Sequence, residues 1–215
     1  MARSQLILSA GMGRAGSTWL FNAARLLLCS SPTIAQQLSF GWVGDLPKIP
    51  LRRYMLLKIH DYHPQLVAQS STILYSYRDI RDVIASMARK FGRTPQLGDA
   101  DHLVAQFRLW MPVAQFVMRY EDMLSDKQSI IAGMAAALGR NGVDPAAILA
   151  ELEAMSFASP GEKGASYHVT NLYHPGHITD GRHGSWRDVL DPALAQAILA
   201  RHRDWFEANG YETEG

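Results

Sequence analysis

Short apolar runs alternate with stretches of helical period along the first part of the chain. The runs have the length of β-strands and cover residues 6–10, 54–59, 73–77 and 116–118. The helical stretches between them include residues 19–28 and 82–89. Continuous apolar strands that alternate with helices are typical of a parallel sheet covered on both faces. The pattern therefore predicts an α/β fold with a central parallel sheet flanked by helices.

The C-terminal part of the chain has helical patterns but no further strand pattern. Asp191 is a good N-cap, Pro192 suits the first helical position, and Gly210 follows the end of the last pattern. The helices predicted for this region cover residues 129–138, 145–155 and 192–209. We see no internal repeat and no linker, so we expect one domain over residues 1–215.

Composition narrows the class of protein. With 215 residues, 47% of them hydrophobic, the chain can bury a substantial core. The 21 Lys and Arg nearly balance the 20 Asp and Glu, so the chain has no global field to attract nucleic acid, and any anion site must be local. The single cysteine, Cys29, excludes an internal disulfide and fits a reducing compartment. Because no signal segment and no apolar span of membrane length is visible, we expect a cytoplasmic protein.

A glycine-rich segment follows the first predicted strand. Residues 6–20 read LILSAGMGRAGSTWL, a pattern that indicates a strand, a tight turn and the start of a helix. Glycines allow the backbone to approach an anion, and the N-terminus of a helix attracts it. The segment is P-loop-like, but Ser17 follows Gly16 where a Walker A loop has lysine, and the nearby cation is Arg14. We interpret it as a phosphate cradle; the alternative is a plain turn with small residues.

The third predicted strand ends in a charged turn. Arg78 would emerge at the carboxyl end of this strand, where open α/β sheets bind ligands. If a helix starts near Asp82, Ser86 and Arg89 follow at helical spacing and can face the same ligand. The alternative for this turn is a solvated cluster of salt bridges.

Four segments together resemble the PAPS-dependent sulfotransferases, where PAPS is 3′-phosphoadenosine 5′-phosphosulfate. Residues 13–20 and 77–86 are similar to the two nucleotide-binding signatures of that family. Residues 119–123, RYEDM, resemble its Tyr-Glu-Asp segment, and residues 181–187, GRHGSWR, resemble a shortened form of its C-terminal loop. The segments occur in the order found in the family. The resemblance implies a P-loop-like fold, PAPS as the co-substrate, PAP (adenosine 3′,5′-bisphosphate) as the product, and no metal.

The resemblance also implies roles for individual residues. Those that would hold the 5′-phosphosulfate are Arg14, Ala15, Gly16, Ser17 and Thr18. Those that would surround the 3′-phosphate are Arg78, Ser86, Arg182, His183 and Gly184. Those that would lie around the adenine are Trp19, Tyr120, Ser156 and Phe157. The chain departs from the family in having Arg14 in place of the usual lysine, a shorter last loop and fewer residues overall.

Two ionisable residues end the second predicted strand. Lys58 and His60 lie two positions apart and therefore on one face of the strand, at its carboxyl end. The sequence Lys58-Ile59-His60 resembles the Lys-Thr-His of cytosolic sulfotransferases, whose histidine is the general base. A histidine suits this role because its ordinary pKa is near neutrality. Lys58 and Arg14 would stabilise charge on the leaving phosphate during in-line transfer. A structural role for His60, with His63 as the base, is the alternative.

Several histidines cluster in the long segment 159–185, namely His168, His174, His177 and His183. Zinc sites need three or four well-placed ligands, and no cysteine lies near, so we expect a lid over the acceptor or the nucleotide rather than a metal site.

The sequence thus predicts a sulfotransferase that acts on a hydroxyl, or less favourably an amine, of a small-molecule, lipid or glycan acceptor in an open cleft. Two alternatives remain. A P-loop small-molecule kinase would need a Walker lysine, which is absent, and a magnesium-binding aspartate, either Asp79 or Asp122. A non-catalytic nucleotide-binding module would keep the cradle without the chemistry.

Overall fold

A five-stranded parallel sheet forms the centre of the computed structural model, which describes residues 4–155, 167–174 and 181–213. The strand order is β2-β3-β1-β4-β5. The strands are β1 Gln5–Gly11, β2 Leu38–Trp42, β3 Tyr54–Ile59, β4 Ser70–Tyr77 and β5 Phe116–Arg119. The α/β class and the parallel sheet predicted from the sequence are confirmed.

Strand β2 was not predicted. Its five residues, LSFGW, alternate between the two faces of the sheet and include a glycine, so they do not form a continuous apolar run. Among the described strands it lies at the edge of the sheet, beside β3. Alternation of this kind is a weak signal when a strand is short.

Helices cover both faces of the sheet. Within the described ranges they are α1 Ser17–Cys29, α2 Pro32–Ala35, α3 Pro64–Gln69, α4 Ile80–Phe91, α5 Leu97–Trp110, α6 Tyr120–Ser125, α7 Lys127–Ala137, α8 Pro145–Ala154, α9 Pro192–Arg201 and α10 Arg203–Ala208. Short 3₁₀ turns occupy Val43–Lys48, Met111–Val113 and Ser185–Asp188. In the part of the chain that the structure describes, no helix is both long and apolar enough to cross a membrane.

The predicted C-terminal helix 192–209 is wrong in one respect, since it is broken at His202. His202 has a non-helical backbone (φ −123°, ψ 28°) and is buried. Its Nε2 lies 2.9 Å from a carboxylate oxygen of Asp101 on α5. The expected N-cap is present, because the Asp191 side chain accepts hydrogen bonds from the first turn of α9.

The register of the central strands brings three loops together. Ser9 of β1 is opposite Lys58 of β3, and Gly11 of β1 is opposite Ser76 of β4. The carboxyl ends of β1, β3 and β4 therefore lie side by side. The connections after β1 and after β3 run to opposite sides of the sheet, and such a switch point is where open α/β sheets bind ligands.

Candidate active site

The glycine-rich segment forms a tight loop between β1 and α1. The Met12 amide donates to the Ser76 carbonyl at 2.9 Å, which fixes the loop to β4. Gly16 has a φ of 72° at the N-terminus of α1, a conformation that favours glycine. A Cβ there would lie 3.1 Å from both Met118 and Tyr120. Met118 and Tyr120 therefore pack closely against the loop. The N-terminus of α1, a helix of 13 residues, lies at the end of the loop.

Arg14 connects this loop to α4. Its backbone is left-handed, with a φ of 67°, which is uncommon for a residue with a side chain and is found at functional sites. Its Nε donates to the Ser86 Oγ at 3.0 Å, and its carbonyl accepts from the Arg78 Nη1 at 3.3 Å. Burial, and next the charge of Arg78, lower the pKa of Arg14. Three residues predicted to bind phosphate groups thus lie together.

The first turn of α1 supplies buried hydroxyl groups. Ser17 and Thr18 are both buried, and the Thr18 hydroxyl has no hydrogen-bond partner among the described residues. A buried hydroxyl without a partner is unfavourable unless a ligand or water completes it. Ala15 is buried, and its amide donates to the Met12 carbonyl at 3.2 Å, so this donor serves the loop. Trp19, the third residue of α1, is half-buried and packs against the hydrophobic core.

Lys58 lies buried near the end of β3. Burial, together with the positive charge of Arg14, lowers the pKa of Lys58 to about 8. Its Nζ lies 5.5 Å from the centre of the Trp42 ring, within range of a cation–π contact. The same indole lies 5.2 Å, centre to centre, from the ring of His60. Trp42 is thus adjacent to both groups, although its strand was missed in the sequence.

His60 is oriented by the loop after β1. Its Nδ1 lies 2.7 Å from the Gly11 carbonyl oxygen. A carbonyl only accepts, so Nδ1 carries the hydrogen and the neutral ring has its lone pair on Nε2. Burial, and next the charge of Lys58, lower the pKa of His60 to about 4. The ring is therefore neutral at physiological pH and has one nitrogen able to accept a proton.

Arg78 follows β4 and is buried. Its guanidinium carbon lies 4.3 Å from the centre of the Tyr120 ring. Its Nη2 lies 3.3 Å from the Asp82 carboxylate and also donates to the Arg182 carbonyl. Ser86, which lies within α4, is buried and accepts a hydrogen bond from Arg14.

The C-terminal segment reaches this cluster mainly through its backbone. The Tyr120 hydroxyl donates to the Gly181 carbonyl at 3.1 Å, and the Gly184 amide donates to Asp82 at 2.7 Å. The Arg182 side chain is 68% exposed and lies 3.5 Å from Asp188. His183 is exposed. The predicted adenine contacts at 156 and 157 lie outside the described residues.

The other candidate residues serve local structure. His63 is exposed, and its Nδ1 accepts from the Leu66 amide at the start of α3. His168 Nδ1 accepts from the Thr170 amide at 3.1 Å. His177 lies outside the described residues. Asp79, a candidate magnesium ligand in the kinase alternative, pairs with Arg81 at 2.7 Å. The described part of the chain contains no group of three His, Cys, Asp or Glu side chains arranged to hold a metal.

Sequence reasoning did not single out Asp82 as a site residue. It is fully buried between Arg78 and residues 184–186. Its spacing of four residues from Ser86 is the signal that could have found it, because that spacing places both residues on one side of α4.

Comparison with solved structures identifies the fold. Mouse sulfotransferase SULT7A1 complexed with PAP matches with a TM-score of 0.62 and 16% identity, over 96% of this chain and 86% of that chain. Retinol dehydratase in complex with androsterone and the inactive cofactor PAP matches with a TM-score of 0.60 and 17% identity, over 96% and 81%. Retinol dehydratase with retinol and PAP gives 0.58 and 17%, over 96% and 82%. No family model and no curated protein matches the sequence. The chain has the sulfotransferase fold.

Proposed function

We propose that this protein is a PAPS-dependent sulfotransferase that works as a single domain. It transfers the sulfuryl group to a hydroxyl, or an amine, of a small-molecule, lipid or glycan acceptor. The observation that carries the proposal is the convergence of Arg14, Arg78 and Ser86 on one side of the loop, with Lys58 and His60 at the adjacent strand end.

The residues fit a nucleotide with anionic groups at both ends. Arg14, Arg78 and Lys58 bring three cations to the site, whereas Asp82 is the carboxylate that pairs with Arg78. The partnerless Thr18 hydroxyl and the N-terminus of α1 add donors. An anionic ligand is therefore favoured over a neutral one.

Each part of the site has an assigned role in binding. Residues 14–18 hold the phosphosulfate, Arg78 and Ser86 hold the 3′-phosphate, and residues 182–184 close over it. Trp19 and Tyr120, with residues 156 and 157, surround the adenine.

The chemistry follows from the neutral imidazole. PAPS supplies an activated sulfuryl group, whose bond to a 5′-phosphate oxygen breaks as a bond from sulfur to the acceptor oxygen forms. His60 Nε2 accepts the proton of the acceptor hydroxyl. Lys58, protonated below its pKa of about 8, and Arg14 neutralise the charge left on the phosphate oxygen. Positioning and charge neutralisation do most of the work in the analogous phosphoryl transfer.

The direct test is turnover. The full chain is mixed with PAPS and a panel of phenols, alcohols, amines, lipids and sugars, and both PAP release and the gain of SO₃ on the acceptor are measured by mass spectrometry. We expect both, and we expect Arg78→Ala to abolish PAPS binding. Arg93→Ala is the matched control, since Arg93 pairs with Asp99 at the surface. Binding of ATP with magnesium but not of PAPS would instead support a kinase, and tight PAP binding without turnover would support a binding module.

A further inference from the structure

Asp82 contacts both Arg78 and residues 184–186, which lie at the same end of the site. Its carboxylate accepts hydrogen bonds from the amides of Gly184 at 2.7 Å and Trp186 at 2.9 Å. It also accepts from the Ser185 hydroxyl at 3.3 Å and pairs with Arg78 at 3.3 Å. We propose that Asp82 is a positioning residue that couples Arg78 to residues 184–186 and thereby sets the preference for nucleotides that carry a 3′-phosphate. This inference rests on the proposed function.

Asp82 carries a charge at a position where burial makes a charge unfavourable unless it is compensated. It is fully buried in α4. The buried residues next to it in α4 are the apolar Ile80, Val83 and Ile84 and the charged Arg81, which has its own carboxylate partner in Asp79. A buried carboxylate is tolerated only where charge and hydrogen bonds compensate its desolvation. Removing one partner of a buried ion pair is more destabilising than replacing the whole pair by apolar residues. Four donors provide that compensation here.

The contacts of Asp82 converge on Arg78 from two directions. Directly, the carboxylate holds Nη2 of the guanidinium. Indirectly, it fixes the turn at Gly184, and the carbonyl of Arg182, two residues before, accepts from the same Nη2. Arg89 strengthens the turn from the next part of α4, since its Nη2 donates to the Ser185 hydroxyl at 2.9 Å. Loss of the Asp82 charge should therefore misplace Arg78 and the turn together.

A competing role for Asp82 predicts the opposite change in affinity for the 3′-phosphate. If Asp82 merely competes with the 3′-phosphate for Arg78, neutralising it would strengthen binding of that phosphate, because the guanidinium would be left with more uncompensated charge. If Asp82 positions Arg78, neutralising it weakens binding. In Asp82→Asn, one carboxylate oxygen becomes an NH₂ donor that faces the amide donors of the turn, so the turn cannot keep its present arrangement.

The experiment compares two nucleotides on the full-length protein by isothermal titration calorimetry. PAP carries the 3′-phosphate, and adenosine 5′-monophosphate (5′-AMP) lacks it. Asp82→Asn is expected to weaken PAP binding about tenfold or more, the range of a hydrogen bond to a charged group, with a much smaller effect on 5′-AMP. Asp101→Asn is the matched control. Asp101 is half-buried on α5 and pairs with Arg201 and His202, which lie at the end of α9 and directly after it.

The outcomes separate the inference from the proposed function. A reduced PAP preference over 5′-AMP in Asp82→Asn, with the wild-type preference in Asp101→Asn, supports the inference. Unchanged or tighter PAP binding in Asp82→Asn overturns it, as does an equal loss for both nucleotides. If the wild-type protein shows no preference for PAP, the proposed function fails instead. Melting temperatures of both variants establish that each is folded at the temperature of titration.

Discussion

His60 depends on one hydrogen bond for its tautomer. Because its Nδ1 faces the Gly11 carbonyl, only Nε2 can accept a proton. The carbonyl belongs to the last residue of β1, so the strand that leads into the glycine-rich loop also orients the proposed base. In the proposed mechanism, nucleotide binding and proton transfer therefore depend on the same stretch of backbone.

Replacement of His60 tests the general base. We expect His60→Ala to lower kcat by about 10²–10⁴, the contribution typical of a positioned base, and to leave PAP affinity nearly unchanged. Steady-state kinetics and PAP titration measure the two quantities. His63→Ala is the control, because His63 is an exposed helix cap and should keep wild-type kcat. Full turnover by His60→Ala would remove the assignment.

We expect Lys58 to set the alkaline limit of the reaction. Burial lowers the pKa of Lys58 to about 8, so the charge is present below that pH and is lost above it. We expect the protonation of His60, with a pKa of about 4, to set the acid limit. The profile of kcat/KM for PAPS, which reports the free enzyme, should be flat between these values and fall on either side.

Lys58→Arg distinguishes the alkaline limit of the pH profile from the acid limit, since a guanidinium remains protonated at both. The alkaline fall should move to higher pH in this variant, whereas the acid fall should stay. An unchanged alkaline fall would mean that another group is responsible.

At the scale of elements, the glycine-rich loop leaves little room for a side chain at Gly16. Gly16 and Gly92 both have left-handed backbones, with φ of 72° and 63°. A Cβ at Gly16 would meet Met118 and Tyr120 at 3.1 Å, whereas one at Gly92 would meet nothing within 4 Å. Gly92→Ala should therefore cost only the conformational term, about 1–2 kcal/mol.

Gly16→Ala should lower the free energy of unfolding by more than Gly92→Ala and should also weaken PAP binding. Urea unfolding and PAP titration of the two variants measure the difference. Equal stability losses with equal PAP affinities would show that the packing below the loop does not matter.

Elements with strong local signals were predictable from the sequence, and those fixed by distant contacts were not. The apolar runs gave β1, β3, β4 and β5, and the turn at Arg78 was correctly placed before α4. The break at His202 depends on Asp101, a residue 101 positions away, so no local pattern announces it. Similarly, the sequence indicated Gly184 but could not show that its amide serves Asp82.

At the scale of the whole molecule, the fold brings positively charged side chains together although the chain is nearly neutral overall. The net charge is only +1, yet the parallel strand order brings together Arg14 and Arg78, which are 64 positions apart. Arg78 in turn contacts the Arg182 carbonyl, 104 positions further along. The site therefore connects the first loop, the middle helix and the C-terminal segment.

A ligand that bridges these distant segments should stabilise the whole fold. By mass action, a ligand at 100 times its Kd adds about 2.7 kcal/mol, which for a chain of this size raises Tm by about 5–10 °C. We expect PAP to produce this shift in a thermal melt, and Arg78→Ala to lose most of it because one anchor is removed. Arg93→Ala should keep it. An equal shift with ATP and magnesium, or none with PAP, would contradict a site built for a 3′-phosphorylated nucleotide.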